Sequence, residues 1–225
     1  MNPTGTRRFA TLALGLVTAG VLVAASHAKD EVTTADRQVK VESIAAPTRA
    51  EVGKNAPDFT LVDTAGQTHS LADYQGKVVV LEWFNPDCPL VKKHHEMSRS
   101  MRETYESARK AGAVWLAINS GAPGKQGAGV ERNVAARESY GMEYPVLLDE
   151  EGTVGKSYGA RNTPHMFVIA ADGALMYQGA IDDNPSLKKL GELNYVLAAL
   201  HAIQSGKPVE TANTKSYGCS VKYAS

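Results

Sequence analysis

KVVVLEWFNPDCPLVKKHH, residues 77–95, joins a hydrophobic run to a charged run through a short turn. Residues 77–84 are hydrophobic and rich in β-branched side chains, which is typical of a central strand buried on both faces. Residues 89–110 are rich in helix formers and charges, so they predict one long helix. A lone cysteine, Cys88, lies where the predicted strand gives way to the predicted helix.

Strands and helices alternate on both sides of this stretch. The patterns predict strands at residues 57–63, 68–71, 113–119, 145–148, 163–170 and 175–181, and further helices at residues 130–139 and 186–204. Asp172-Gly173 predicts a hairpin turn between the last two strands. The order predicts an α/β sandwich with a mixed central sheet flanked by helices and an N-terminal β-extension.

The composition limits the function classes. The chain has 225 residues, 43% of them hydrophobic, which is enough to build a core. It carries 24 basic and 24 acidic residues, so its formal net charge is zero. A nucleic-acid partner would require a strong basic bias, and none is present.

The N-terminus predicts export. Arg7 and Arg8 precede an uncharged run, residues 9–25, and Ser26-His27-Ala28 ends it with small residues. This pattern predicts a signal peptide, residues 1–28, that is cleaved to leave no stable membrane insertion; an uncut anchor is the alternative. Beyond it we expect a polar linker (29–52), one domain (53–205) and a C-terminal tail (206–225), in the periplasm or another exported location.

The position of Cys88 favours an ionised sulfur. Pro89 fits the first position of a helix, which places Cys88 at the N-cap. Unpaired backbone N–H groups and the helix dipole favour the thiolate there, and the thiolate is the nucleophile. Lys92 is expected on the same helix face and is assigned a supporting role. Lys93 and His94 are interpreted as part of a solvated face.

Thr163-Pro164 opens the hydrophobic strand MFVIA, an unusual position for proline unless it has a special role. Together with PDFTLVD, VVVLEWFNPDCP and DGALMYQGAIDD, this motif resembles the thioredoxin-like superfamily in its redoxin (AhpC/TSA) branch, and in particular exported redoxin-domain proteins. The resemblance implies a thioredoxin-like sandwich in which a helix-capping cysteine, here Cys88, lies beside a cis-proline, here Pro164. Thr163 and Pro164 would then hold the substrate.

The sequence departs from its relatives at several positions, among them Leu81, which stands where peroxiredoxins have a proline. Val91 stands where thioredoxin has its second cysteine, and Asn85 stands where peroxiredoxins have a threonine. Asn85 is kept as a supporting residue because its side chain could still donate a hydrogen bond. The second cysteine, Cys219, belongs to the tail, where it would either resolve an intermediate on Cys88 or form a permanent structural disulfide with it.

Three functions fit this pattern. The first is a thiol–disulfide oxidoreductase that acts on protein disulfides, with Cys88 and Cys219 as catalytic residues and an external thiol as reductant. The second is a thiol peroxidase that acts on peroxide, which the change at Asn85 disfavours. The third is a copper-binding or structural module that would use His94, His95 or His165 beside the thiol. No cofactor or metal is predicted for the first two.

Overall fold

A computed structural model describes residues 49–225. The predicted signal peptide lies outside the described residues, as does the predicted linker up to residue 48. No helix in the described part combines the length and the hydropathy that a membrane crossing requires. The proposed domain boundaries and the cleavage of the signal therefore stay predictions.

A seven-stranded mixed sheet forms the centre of the described residues, in the order β2-β1-β5-β4-β3-β7-β8. Its strands are β1 (Thr60–Asp63), β2 (Thr68–Ser70), β3 (Val79–Trp83), β4 (Val114–Asn119), β5 (Val146–Leu148), β7 (His165–Ile169) and β8 (Leu175–Gly179). The strands β3, β4 and β5 pair in parallel, and the outer pairs are antiparallel. A second, two-stranded sheet pairs β6 (Asn162–Thr163) with β9 (Cys219–Ser220).

The central strand β3 is buried along its whole length, as its hydrophobic run predicts. Val80 packs into the core on one face of the sheet, while Leu81 and Trp83 pack into the core on the other. The helices that cover these faces are α1 (Pro89–Lys92), α2 (Ser100–Lys110), α3 (Val130–Ser139), α4 (Thr153–Tyr158) and α5 (Tyr195–Gln204). The predicted mixed α/β sandwich is confirmed, and the helix expected at residues 130–139 is present with those bounds.

The prediction of one helix over residues 89–110 was wrong. The α1 helix ends at Lys92, a π-helical turn covers Lys93–Met97, and Arg99 takes a left-handed conformation (φ 59°) before α2 begins. A π turn adds a residue to the helical repeat, so it rotates the side chains that follow. Lys93 and His94, at the start of this turn, are 2% and 0% exposed, so their interpretation as a solvated face was also wrong.

The last helix is shorter than predicted. It begins at Tyr195, where the Asn194 side chain accepts a hydrogen bond from Leu197 N at 3.0 Å, and not at residue 186. In the preceding loop, Asp182 accepts from Gly191 N at 2.8 Å and Asp183 accepts from Leu193 N at 3.3 Å. Side-chain oxygens thus accept hydrogen bonds from backbone N–H groups that would donate to backbone carbonyls in a helix, which is why the segment stays irregular.

The C-terminal segment packs against the rest of the fold. Residues 206–225 contain β9, a parallel bridge from Asn213 to Gln178, and Tyr223, whose hydroxyl donates to Ala160 O at 2.8 Å. At the other end of the described residues, Ala50 is buried and its N–H donates to Ser157 O at 2.8 Å. The segment that carries Cys219 is therefore seated on the domain.

Candidate active site

Cys88 lies at the N-cap of α1, at the carboxyl end of β3. The turn that leads to it is held by Asn85, whose side-chain oxygen accepts from Asp87 N at 2.9 Å and whose carbonyl accepts from Cys88 N at 3.1 Å. Pro89 follows at the first helical position, where its missing N–H costs no hydrogen bond. The local sequence therefore fixes the backbone on both sides of the sulfur.

The Cys88 side chain is 0% exposed. As a thiol, it donates a hydrogen bond from Sγ to the carbonyl oxygen of Thr163 at 3.0 Å. The same sulfur accepts from the backbone N–H of Cys219 at 3.4 Å. The sulfur therefore lies between the strand that leads into Pro164 and the C-terminal segment, 131 residues away along the chain.

The Thr163–Pro164 peptide bond is cis, the isomer that the resemblance implies. Just before it, Thr163 pairs with Cys219 and Asn162 pairs with Ser220 in an antiparallel ladder. Asn162 Nδ2 donates to Gly218 O at 3.0 Å, and Val221 N donates to Arg161 O at 3.0 Å. The structure thus brings Cys88, Thr163, Pro164 and Cys219 together.

Gly218 is the residue that lets the C-terminal strand approach so closely. Its φ of 127° lies in a region that side chains disfavour. A Cβ at this position would lie 2.0 Å from the carbonyl oxygen of Thr163. Only glycine therefore allows the residue before Cys219 to pack directly on the carbonyl group that accepts from Cys88.

The two sulfurs have opposite pKa shifts. Burial acts to raise the pKa of Cys88, but hydrogen bonds from the Cys219 thiol and from the backbone N–H groups of Val91 and Cys219 outweigh it, so that this pKa is lowered. Burial, together with the hydrogen bond to Cys88 and its negative charge, raises the pKa of Cys219 to about 11. The geometry therefore favours a Cys88 thiolate that faces a Cys219 thiol.

Lys92 and Asn85, the two predicted supporting residues, both hydrogen-bond with the backbone of Cys88. Lys92 ends α1, its backbone N–H donates to Cys88 O at 2.9 Å, and its ammonium is not among the principal groups that lower the pKa of Cys88. Asn85 Nδ2 donates to Gln126 O at 3.3 Å, so its amide organises the loop around the site. Their supporting roles stay predictions.

Several residues near the site were missed by the sequence reasoning. Glu82 is 0% exposed and accepts from His95 Nε2 at 2.7 Å, Tyr144 OH at 3.0 Å and Trp115 Nε1 at 3.2 Å. Glu82 interrupts a hydrophobic strand, which is the one signal that could have drawn attention to it. A buried carboxylate needs such donors to offset its desolvation.

The histidines considered for copper have other partners or lie apart. His94 contacts Ser100 and Tyr217, and His95 contacts Glu82. His165 is buried beside the cis-proline, and its Nδ1 has no hydrogen-bond partner among the described residues. Within residues 49–225 there is no cluster of three or more His, Cys, Asp or Glu side chains arranged to hold a metal.

A helix-capping cysteine of lowered pKa, beside a cis-proline on a mixed α/β sandwich, defines a thiol-dependent oxidoreductase with a thioredoxin-like fold. Comparison with known proteins agrees with this class. The model of the AhpC/TSA family matches residues 52–178, and the chain belongs to that family. The predicted redoxin relationship is therefore confirmed.

Individual relatives point in the same direction. The chain is 35% identical over 127 residues to the thiol-disulfide oxidoreductase ResA of Geobacillus thermodenitrificans, a match that covers 56% of this chain and 67% of the relative. Two solved structures are also similar. A hypothetical protein from Sinorhizobium meliloti 1021 has a TM-score of 0.68 and 27% identity, covering 79% of this chain and 97% of that one. An uncharacterized conserved protein from Geobacillus kaustophilus has a TM-score of 0.66 and 29% identity, covering 77% and 93%. The relatives support thiol–disulfide oxidoreduction as the activity.

Proposed function

We propose that this protein is an exported oxidoreductase that reduces protein disulfides, with Cys88 as the nucleophile and Cys219 as the resolving thiol. The observation that carries the proposal is the antiparallel pairing of Thr163 with Cys219, which seats the Cys219 N–H 3.4 Å from Cys88 Sγ. Cys88 and Cys219 lie together beside the cis-proline, where the resemblance places the substrate.

In the first step, the Cys88 thiolate attacks one sulfur of a substrate disulfide. A bond forms between Cys88 and that sulfur, the substrate S–S bond breaks, and the second substrate sulfur leaves as a thiolate. The lowered pKa of Cys88 increases the fraction of nucleophile available for this step. Thr163 and Pro164 are proposed to align the substrate chain.

In the second step, Cys219 attacks the Cys88 sulfur of the mixed disulfide. The Cys88–Cys219 bond forms and the remaining substrate sulfur leaves as a thiolate, so that the substrate has gained two electrons. The pKa of Cys219 is raised partly by the Cys88 thiolate, and that charge disappears when Cys88 enters the mixed disulfide. The first step therefore favours ionisation of the resolving thiol, whose proton passes to a departing substrate thiolate.

An external thiol reductant completes the cycle. It attacks the Cys88–Cys219 disulfide, passes through a second mixed disulfide and leaves in its oxidised form, which returns both cysteines to the reduced state. The predicted signal peptide, residues 1–28, supports an exported location. N-terminal sequencing of the protein from the periplasmic fraction tests export, and a mature terminus at Lys29 is the expected result.

A trapping experiment tests the chemistry. With a protein disulfide such as oxidised insulin as probe, Cys219→Ser should accumulate a mixed disulfide on Cys88, and Cys88→Ser should form none. Wild-type protein should release reduced insulin and acquire one internal disulfide, identified by mass spectrometry. Rapid consumption of hydrogen peroxide with sulfenic acid on Cys88, without insulin reduction, would favour the peroxidase alternative instead.

A further inference from the structure

The residues of the π turn form a buried polar cluster with the C-terminal segment. Lys93 is 2% exposed, its Nζ donates to Asn184 O at 2.7 Å and lies 3.9 Å from Asp182 Oδ2. His94 is 0% exposed, and its Nδ1 lies 2.8 Å from Ser100 Oγ. Buried charges are costly to desolvate, so such a cluster is weak as a source of stability and better suited to fixing a geometry.

One side chain of the C-terminal segment enters this cluster. Tyr217, two residues before Cys219, donates a short hydrogen bond from its hydroxyl to Asp182 Oδ1. The same hydroxyl lies 3.1 Å from His94 Nε2, and the Lys93 ammonium lies 5.7 Å from the centre of the Tyr217 ring. Tyr217 is thus held by a carboxylate, an imidazole and a cation.

The donors and acceptors of this cluster form one consistent chain. Burial lowers the pKa of His94 to about 4, so its imidazole is neutral at pH 7. Ser100 OH then donates to His94 Nδ1, and His94 Nε2–H donates to the Tyr217 oxygen. Since Tyr217 donates onward to Asp182, no polar atom in the chain needs a water molecule to satisfy it.

The hydrogen bonds of Tyr217 also affect how a substrate reaches Cys88. Because Cys88 is 0% exposed with Cys219 seated beside it, an external disulfide has no path to the sulfur in this arrangement. Attack on a substrate therefore requires the strand that carries Cys219 to lift. A two-residue spacing keeps Cys219 within about 7 Å of Tyr217 along the chain, so the contacts of Tyr217 limit that movement.

We propose that Tyr217, held by Lys93, His94 and Asp182, is a positioning residue that keeps Cys219 on Cys88 and sets how often Cys88 opens to substrate. The inference rests on the proposed resolving role of Cys219. It gives the charged run after Cys88 a function: the π turn presents Lys93 and His94 to a tyrosine more than 120 residues further along the chain.

Tyr217→Phe tests the proposal, because it keeps the ring over Lys93 and removes only the hydroxyl. Hydrogen bonds to charged groups are strong enough that their loss changes an opening equilibrium by about tenfold or more. In a Cys219→Ser background, we therefore expect Tyr217→Phe to increase the rate of Cys88 alkylation by iodoacetamide about tenfold. With both cysteines present, we expect it to slow the second step about tenfold, measured as the conversion of a preformed mixed disulfide between Cys88 and a small thiol into the Cys88–Cys219 disulfide.

Tyr74→Phe is the matched control. Its hydroxyl lies 2.5 Å from His69 Nδ1, remote from the C-terminal segment, so both rates should stay at their reference values. A urea unfolding midpoint close to that of wild type would show that Tyr217→Phe keeps the fold.

The outcomes separate the two proposals. If the mixed disulfide on Cys88 converts to the Cys88–Cys219 disulfide as fast in Tyr217→Phe as in wild type, the positioning role is refuted. If wild-type protein never forms the Cys88–Cys219 disulfide, the resolving role of Cys219 fails, and the alkylation ratio alone then decides whether Tyr217 holds the segment over Cys88. If Tyr217→Phe leaves the rate of Cys88 alkylation unchanged in the Cys219→Ser background, the holding role of Tyr217 is refuted as well.

Discussion

Gly218→Ala should separate the docking of Cys219 from the rest of the fold. The new Cβ would lie 2.0 Å from Thr163 O and 2.8 Å from Thr163 C, where real Cβ contacts are at least about 3 Å. The obstructing atoms belong to the backbone, so the strand that carries Cys219 must move by about 1 Å. That movement pulls the Cys219 N–H away from Cys88 Sγ.

The magnitude follows from two contributions. Holding alanine at φ 127° costs about 1–3 kcal/mol. Weakening the hydrogen bond from Asn162 Nδ2 to Gly218 O costs about 1 kcal/mol more. Together, about 2–4 kcal/mol would lower the ratio of seated to lifted strand by about 30-fold to 1,000-fold.

The assay starts from a mixed disulfide between Cys88 and a small thiol, quenches with acid at intervals and measures its conversion to the Cys88–Cys219 disulfide by mass spectrometry. Gly218→Ala should form this disulfide at least about tenfold more slowly than wild type. Gly206→Ala is the control, because φ is 63° there and a Cβ would meet no atom within 4 Å. If the Gly218→Ala and Gly206→Ala variants form the disulfide equally fast, our account of how the C-terminal strand docks is refuted.

Three further predictions use the same structure. Cys219→Ala should raise the pKa of Cys88, because it removes the main hydrogen bond that lowers this pKa. The pH dependence of the rate of Cys88 alkylation measures the shift, and a titration midpoint equal to that of wild type would contradict the prediction. Burial lowers the pKa values of His94 and His165 from 6.5 to about 4, so between these pH values only the unfolded chain binds a proton at each histidine. The free energy of unfolding should therefore fall as the pH drops from about 6.5 to 4, by up to about 1.4 kcal/mol per pH unit for each histidine. Urea titrations that show no dependence on pH in this range would disprove it. Glu82→Gln should lower the free energy of unfolding by about 2–3 kcal/mol, since an amide offers a donor to side chains that already donate; an unchanged urea transition would count against this.

Much of the fold could be predicted from the sequence because its signals are local. The hydrophobic runs at residues 77–84 and 113–119 give the two central strands, and the turn at Asp172-Gly173 gives the hairpin of β7 and β8. These patterns reflect burial on one or both faces of a strand, which neighbouring residues alone reveal. The short helix α4 went unpredicted because six residues, two of them Gly155 and Ser157, give a weak helical signal.

The parts that could not be predicted depend on contacts between distant residues. The local pattern predicted a solvated helix face for Lys93 and His94, whereas in the structure they lie in a π turn and contact Asp182 and Tyr217. The source of Cys88 activation was likewise uncertain from sequence. Lys92 was the local candidate, but the principal hydrogen bonds that lower the pKa of Cys88 include those from Cys219, 131 residues away.

The position of the second thiol gives this protein a way to set its redox behaviour through docking. Val91 occupies the place where thioredoxin has its second cysteine, and its N–H instead contributes to lowering the pKa of Cys88. The second thiol comes from a segment fixed on both sides of Cys219, by Tyr217 before it and by Tyr223 after it. For a two-electron couple, about 1.4 kcal/mol corresponds to about 30 mV. An increment of docking free energy that favours the disulfide over the two thiols makes the disulfide harder to reduce by that amount. The segment is docked in the reduced protein as well, so an increment that is equal in both states leaves the potential unchanged and makes Cys88 less accessible to substrate. The docking strength must therefore balance rapid resolution against entry of the next disulfide.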